Sequence, residues 1–236
     1  MIIRTIWAYL NGVIATIILS MAAIGASVVG HRGDFYDKVA RSWSRWILWA
    51  AGAKVRVEGM DHVAADHPQI IASNHQSWFD VFALASVIPK RFRFIAKEEL
   101  RKIPLFGKAW ESAGHISINR QDRNRAIVAL DEAAALVRTD NSSIVIFPEG
   151  TRSPDGNLMP FKKGAFMLAL RTGLEILPAA CIGTRTIQKK GGWLVSSGTI
   201  IVRFGNPIDS SRFDEDSREE LMQEVKKEIS ELLCQK

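Results

Sequence analysis

Between residues 5 and 30 the chain carries no charge, and most side chains there are Ile, Ala, Leu, Val or Met. As one helix this stretch reaches ~39 Å at ~1.5 Å per residue, longer than a hydrocarbon core of ~30 Å. The pattern predicts a membrane-associated helix, or one arm of a helical hairpin, that crosses the bilayer at a tilt or dips into one leaflet. A cleaved leader is the rival reading. The weakly basic start at Arg4, the length of the apolar run and the poor cleavage site in "AIGASVVG" favour a retained anchor. Phe35, Val39, Trp43, Trp46 and Ala50 then recur at helical spacing, with Lys38, Arg41 and Arg45 on a separate stripe. Such an amphipathic helix suits lipid headgroups, with tryptophans at the polar boundary, and suits packing on a domain equally well.

From residue 54 the period changes. Short apolar, β-branched runs predict strands at 55–58, 69–73, 92–96, 115–119, 143–147, 175–181 and 199–204. Helical spacing predicts helices over 78–87, 103–111, 122–138, 162–172 and 217–233; Leu221, Val225, Ile229 and Leu232 form the packing stripe of the last. The alternation implies an α/β fold: a mixed, largely parallel sheet flanked by helices, preceded by the N-terminal membrane-associated helix or hairpin. Residues 1–52 are expected to be the anchor and amphipathic helix, and 53–236 one further domain.

Composition narrows the partners. The 236 residues carry a formal net charge of +6, which suits anionic lipids or phosphorylated molecules. No RNA-binding signature, zinc-finger spacing or basic-region heptad is present, so nucleic acid is not an expected partner. Cys181 and Cys234 are far apart in unlike contexts, which suggests no disulfide and a reducing compartment. Arg32, Lys38, Arg41 and Arg45, following the anchor, would hold that side in the cytoplasm.

Several predicted strands end in a reactive or charged side chain. Strand 69–73 runs into His75, 92–96 into Lys97, 115–119 into Arg120, and 143–147 into Glu149 and Arg152. In open α/β sheets, ligands bind at the carboxyl ends of the strands. An imidazole, several cations and a carboxylate along one rim would suit an anionic substrate; scattered loop charges are the plain alternative. Within "ASNHQSWFD", His75 and Asp80 on one helix would sit about 140° apart. With His75 in the preceding turn and Asp80 in the first helical turn, the carboxylate lies at the positive helix end and can orient the imidazole, the base–orienter half of a triad. A helix-starting polar cluster with a bystander histidine weighs as much. Asn74 and Ser77 suit local backbone groups.

No G-x-S-x-G nucleophile motif is present, and Cys181 lies in an apolar strand, so the proton available to such a base is that of a substrate hydroxyl. The five histidines show no metal-ligand spacing. The second cluster, "FPEGTRSPDG", begins a long irregular loop after a buried strand. There Gly150 allows close approach, Thr151 and Arg152 can bind a phosphate, and Glu149 can take a hydroxyl or hold Arg152. A tight turn with a surface Glu–Arg pair is the alternative. The spacing is not that of a Walker A loop.

Together, "NHQSWFD" and "FPEGTRS" resemble the first and third signature blocks of the glycerolipid acyltransferases. "KEELRKIPLFGKAWESAGHISINR" resembles the second, and "EILPAA", centred on Pro178, the fourth. The resemblance spans roughly residues 55–204. It implies that 53–236 is an acyltransferase catalytic domain, with His75 as general base and Asp80 as its orienter. Glu149, Gly150, Thr151 and Arg152 would lie in the acceptor site, Arg120 would bind phosphate, and Lys97 falls in the second block as a further substrate-binding cation. The implied reaction moves an acyl group from acyl-CoA or acyl-carrier protein to the sn-2 hydroxyl of lysophosphatidic acid. It needs no cofactor beyond that co-substrate and serves phospholipid biosynthesis among membrane lipids, at the cytoplasmic face of the cell inner membrane. Asn119, His115 and the Leu-Pro-Ala of the fourth block depart from the family pattern. A glycerol-3-phosphate or other lysophospholipid acceptor, or a silent module binding anionic lipid, are the alternatives.

Overall fold

The computed structural model describes residues 1–31, 33–119 and 123–235, with the side chains of 123–127, 138 and 165 outside the description. Helices α1 (Ile2–Val28) and α2 (Asp34–Ala51) precede strand β1 (Ala53–Glu58). Then follow β2 (Ile70–Ser73), α3 (Phe79–Val87), β3 (Phe92–Lys97), α4 (Phe106–Ser112), β4 (Ile116–Ile118), α5 (Arg123–Asp140) and β5 (Ser143–Ile146). The chain continues through α6 (Lys163–Thr172), β6 (Ile176–Ile182), α7 (Thr184–Ile187), β7 (Gly198–Phe204) and α8 (Arg218–Cys234). The strands form one sheet in the order β1-β7-β6-β2-β5-β3-β4. Contacts from β6 through β2, β5 and β3 to β4 are parallel, and β7 reverses against β6. The fold is the expected mixed, largely parallel α/β sheet. The carboxyl ends of β6, β2, β5, β3 and β4 therefore share one rim.

Sequence character sorts the strands by position. β2, β5 and nearly all of β6 are buried along their length, as apolar runs covered on both faces must be. β1 alternates between half-buried and exposed, as an edge strand does. On one face, Phe92, Val145 and Leu177 of the sheet cluster with Leu48 of α2, Leu84 of α3 and Ile88. On the other, Ile144 of the sheet clusters with Leu130 of α5, Phe166 and Leu168 of α6, and Val225 and Ile229 of α8. Each large aliphatic or aromatic side chain removed from water contributes about 1.5–3 kcal/mol.

The amphipathic helix α2 is built into the domain. Arg41 donates from Nε to the carbonyl of Ile88 at 2.8 Å and from Nη2 to that of Lys90 at 2.6 Å, while Arg45 reaches the carbonyl of Ser86. Two cations of the basic stripe thus neutralise the negative end of α3. Asp37 of α2 pairs with buried Arg93 of β3 at 2.9 Å, and Arg93 also binds Asp140 at 2.6 Å. Helix α1 is fastened to α2 in turn: Trp43 Nε1 donates to Thr16 Oγ1 at 3.0 Å and Trp46 Nε1 to Asn11 Oδ1 at 3.1 Å.

The inward face of α1 is small or polar, carrying Thr5, Ala8, Asn11, Ala15, Ser20, Ala23 and Ala26. Its outward face shows Ile3, Ile6, Leu10, Val13, Ile17, Ile18 and Met21. This inverts the usual pattern of a helix on a water-soluble core. It also gives α1, which is long and apolar enough to cross a membrane, a lipid-compatible face.

Two elements differ from expectation. Helix 103–111 starts only at Phe106, because Pro104 keeps Ile103 extended at φ −72°, ψ 122°; a 3₁₀ segment, Glu98–Lys102, stands in front. The one-turn helix α7 has too few residues to show a period.

Candidate active site

The turn between β2 and α3 brings His75 and Asp80 together. Imidazole Nδ1 lies 2.9 Å from Asp80 Oδ2. The same oxygen accepts the backbone N–H groups of Gln76 at 2.6 Å and Ser77 at 2.8 Å. Asp80 has no exposed surface and stands in the first turn of α3, where its Oδ2 accepts from three donors at once. Because the carboxylate takes Nδ1–H, the other ring nitrogen, Nε2, is left to accept a proton. Asn74 pairs both amide atoms with the backbone of Cys181, at 2.7 and 3.1 Å. Ser77 donates to the carbonyl of Gln188 at 2.8 Å. Both serve backbone groups, and Cys181 is core, as expected.

The loop after β5 holds His75 by its main chain. Glu149 Oε1 accepts the His75 N–H at 2.6 Å, and Ser153 donates its N–H to the His75 carbonyl at 2.7 Å. Glu149 Oε2 accepts the N–H of Met159 at 3.0 Å. Glu149 is therefore buried, with both oxygens committed to backbone donors, a role its position in the motif did not suggest. Gly150, at φ +76°, makes the turn that allows this. Burial pushes the Glu149 carboxyl up to about 7, against the pull of the Met159 and His75 N–H groups, with the Asp80 charge adding to the rise.

Replacing Glu149 with Gln should cost about 1–3 kcal/mol in a denaturant titration, since the amide NH₂ cannot accept the second N–H. The sign of its pH dependence follows from a folded value above the unfolded one. This carboxyl's contribution is complete below its usual value of 4.5 and is lost as pH rises through about 7. The stability difference between wild type and Glu149→Gln should shrink over that interval.

Arg152 stacks its guanidinium on the Trp78 ring, 4.7 Å from the centroid, and no carboxylate is paired with it among the described residues. Thr151 is exposed beside it, and exposed Lys97 closes β3 farther along the rim. Arg120 lies outside the described residues. Sequence reasoning missed Phe147, whose ring stacks on His75 with centroids 4.0 Å apart and on Phe94 at 6.4 Å. Its place as the first letter of "FPEGTRS" was the available signal.

Two apolar spaces flank this centre. A narrow cavity lies among Ala23, Val39, Phe94, Phe106, Trp110 and His115. His115 accepts the Phe94 N–H through Nδ1 at 3.2 Å, and burial, with the nearby Arg93 charge, holds its pKa down to about 3. The ring is neutral, with its proton on Nε2. The second space, of about 590 Å³, is a groove between α1 and the segment running from Trp78 to Phe82, with Arg152 and Gln188 on its rim. Trp43 borders both spaces, and Phe82 packs edge-on against it at 5.1 Å.

A parallel-sheet domain with this His–Asp turn and this loop defines a class, and the family comparison agrees: the acyltransferase family model matches residues 54–182, so the chain belongs to that family. Among relatives, the 1-acyl-sn-glycerol-3-phosphate acyltransferase of Cocos nucifera is 36% identical over 186 residues, covering 79% of this chain and 59% of that protein. The human alpha form of an enzyme with that name is 33% identical, covering 85% and 70%. The crystal structure of the 1-acyl-sn-glycerophosphate (LPA) acyltransferase PlsC from Thermotoga maritima superposes with a TM-score of 0.82 at 27% identity, covering 100% of this chain and 97% of that one. The chain spans about three fifths of the length of the plant relatives.

Proposed function

We propose that this protein transfers a fatty acyl group from an acyl thioester, of coenzyme A or acyl-carrier protein, to the sn-2 hydroxyl of 1-acyl-sn-glycerol-3-phosphate. The observation that carries this reading is the 2.9 Å contact between His75 Nδ1 and buried Asp80, beside two apolar spaces and an arginine that pairs with no carboxylate among the described residues. The names of the relatives point to the same acceptor.

His75 Nε2 takes the hydroxyl proton as the acceptor oxygen attacks the thioester carbonyl. The new C–O bond forms, the C–S bond breaks, and the imidazolium returns the proton to the departing sulfur. Asp80 keeps the ring in the required tautomer and steadies its charge. Arg152, with Thr151 and the Gly150 backbone beside it, holds the acceptor phosphate as a fork-shaped donor, and Lys97 extends that positive rim; Arg120, outside the described residues, is assigned to the phosphate by its motif alone. Glu149 supports His75 from behind, and so belongs to the acceptor site through the loop it fastens. The narrow cavity has Phe94 in its lining, and Phe147 stacks on both Phe94 and His75; the donor's acyl chain is assigned to it on that adjacency. Much of the acceleration comes from holding two reactants in register, and general base catalysis adds roughly 10²–10⁴-fold.

The outward face of α1 would sit in the membrane that supplies the acceptor, with the domain on its cytoplasmic side. Because α1 runs along α2 and the domain, immersion in one leaflet fits better than a full crossing. In a bacterial cell that is the inner membrane.

The test is a panel of acceptors, with lysophosphatidic acid, glycerol-3-phosphate and neutral lysophospholipids each offered one labelled thioester. Turnover confined to lysophosphatidic acid is expected. Preference for glycerol-3-phosphate would reassign the acceptor, and binding to anionic vesicles without turnover would remove catalysis altogether. In the same assay Arg152→Ala should raise the acceptor KM by roughly tenfold or more, as loss of a charge-assisted phosphate contact costs about 1.5–3 kcal/mol. An unchanged KM would take Arg152 out of the site.

A further inference from the structure

We infer that the 590 Å³ groove between α1 and α3 holds the acyl chain already present on the acceptor, so that the first helix is one wall of the substrate site. This inference rests on the acyl-transfer reading above and goes beyond it in placing the second hydrocarbon chain. A ligand site normally offers about 300–1,000 Å³, lined by apolar groups with a few polar groups at one point. Here the apolar walls are Val13 and Ile17 from α1, Ile47 from α2, and Phe79 and Phe82 from α3, and the polar end is Arg152. An occupant with a single hydrocarbon tail and an anionic head matches that charge arrangement. A lysophospholipid with a terminal phosphate is such a molecule. Two-tailed lipids carry twice the hydrocarbon, and a bare phosphate would leave the apolar walls empty.

The groove is also placed for delivery from a bilayer. Val13 and Ile17 belong to the aliphatic face that α1 turns outward, so a chain can pass from lipid into the groove without crossing water. At the head-group end the segment after α7 is held against the reactive turn. Ser77 and Lys190 bind the carbonyls of Gln188 and Arg152, and Gln188 Nε2 reaches across to the Tyr9 hydroxyl of α1 at 3.0 Å. That bridge joins the two walls next to the phosphate-binding arginine. Trp43, with Phe82 packed edge-on against it, borders both this groove and the narrow cavity, so each chain has its own compartment, and preference for each is set by different residues.

Gly12 is the handle. It lines the groove, and a Cβ added there meets nothing within 4 Å, so Gly12→Leu fills the groove while leaving α1 intact. With the full chain in mixed micelles, Gly12→Leu should raise KM for long-chain lysophosphatidic acid by about tenfold, the scale on which an apolar pocket discriminates added bulk. KM for a short-chain acceptor and the ranking of donor chain lengths should stay unchanged. Ala109→Leu, in the narrow cavity, should do the reverse, shifting the donor ranking alone. Equal KM changes for all acceptor lengths, no change at all, or a shifted donor ranking in Gly12→Leu would overturn the inference. A donor-free measurement separates it from the catalytic reading. Lysophosphatidic acid brominated on its chain should quench tryptophan fluorescence in the wild type, and less in Gly12→Leu. Quenching that depends on Gly12 without any turnover would keep the groove and reject acyl transfer. Turnover with quenching indifferent to Gly12 would do the opposite.

Discussion

His75→Gln should lower kcat by roughly 10²–10⁴-fold, the usual worth of a positioned general base, with little change in the acceptor KM. Glutamine keeps a polar side chain of similar reach but cannot take a proton at neutral pH. The backbone contacts of His75 to Glu149 and Ser153 do not involve the ring, so the fold should hold and a thermal melt should stay close to wild type. Single-turnover measurement with bound thioester would place the loss in the chemical step. Turnover near the wild-type rate would mean that another group accepts the hydroxyl proton.

Asp80→Asn is the second large effect. Asp80 Oδ2 serves three donors at once. An asparagine can keep its oxygen on the Gln76 and Ser77 N–H groups, but it supplies no negative charge for an imidazolium. Because that same oxygen also accepts Nδ1–H, the tautomer is kept, and what is lost is the charge that steadies the imidazolium. A loss of kcat of up to roughly 10⁴-fold is expected, a ceiling set by triads in which the neutralised carboxylate also leaves the wrong tautomer. Asp80→Ala would add a stability loss of about 1–3 kcal/mol for each backbone N–H left unpaired. Comparing the two variants by kcat and by denaturant titration separates the carboxylate's charge from its support of the turn. Equal activity in Asp80→Asn and wild type would reduce the pair to a structural contact.

The architecture was legible because its signals are local. Seven apolar runs alternate with helical stripes, and all seven became strands in a mostly parallel sheet. The rim followed, since parallel neighbours must share their carboxyl ends. The His75–Asp80 contact could be anticipated as possible from spacing and the helix start, yet a bystander histidine fitted the same letters. What the letters hid depends on which main-chain group meets which side chain. Glu149 reads as a ligand for substrate until its oxygens are seen on the N–H groups of His75 and Met159. The helix carrying Arg41 and Arg45 suits headgroups and a packing surface equally until the carbonyl end of α3 is found beneath them. Phe147 signalled only its place in a motif and not its stacking on His75, because an aromatic residue at the end of a strand is ordinarily core. The two compartments arise where α1, α2 and α3 meet, and no single segment encodes such a junction.

The inverted first helix separates two properties that most proteins bind into one surface. Its grip on the rest of the molecule runs through Thr5, Asn11, Thr16 and small alanines, whereas the face it could offer to lipid is made of side chains such as Ile3, Leu10, Ile14, Ile18 and Met21. Recoding those five positions with lysine and glutamate would leave the attachments of the helix untouched while weakening its preference for hydrocarbon. The product would be a more soluble form, in which the proposed acceptor is met in free solution as well as at a surface. Comparing its rates with those of the parent on vesicles would measure how much of catalysis is owed to two-dimensional diffusion.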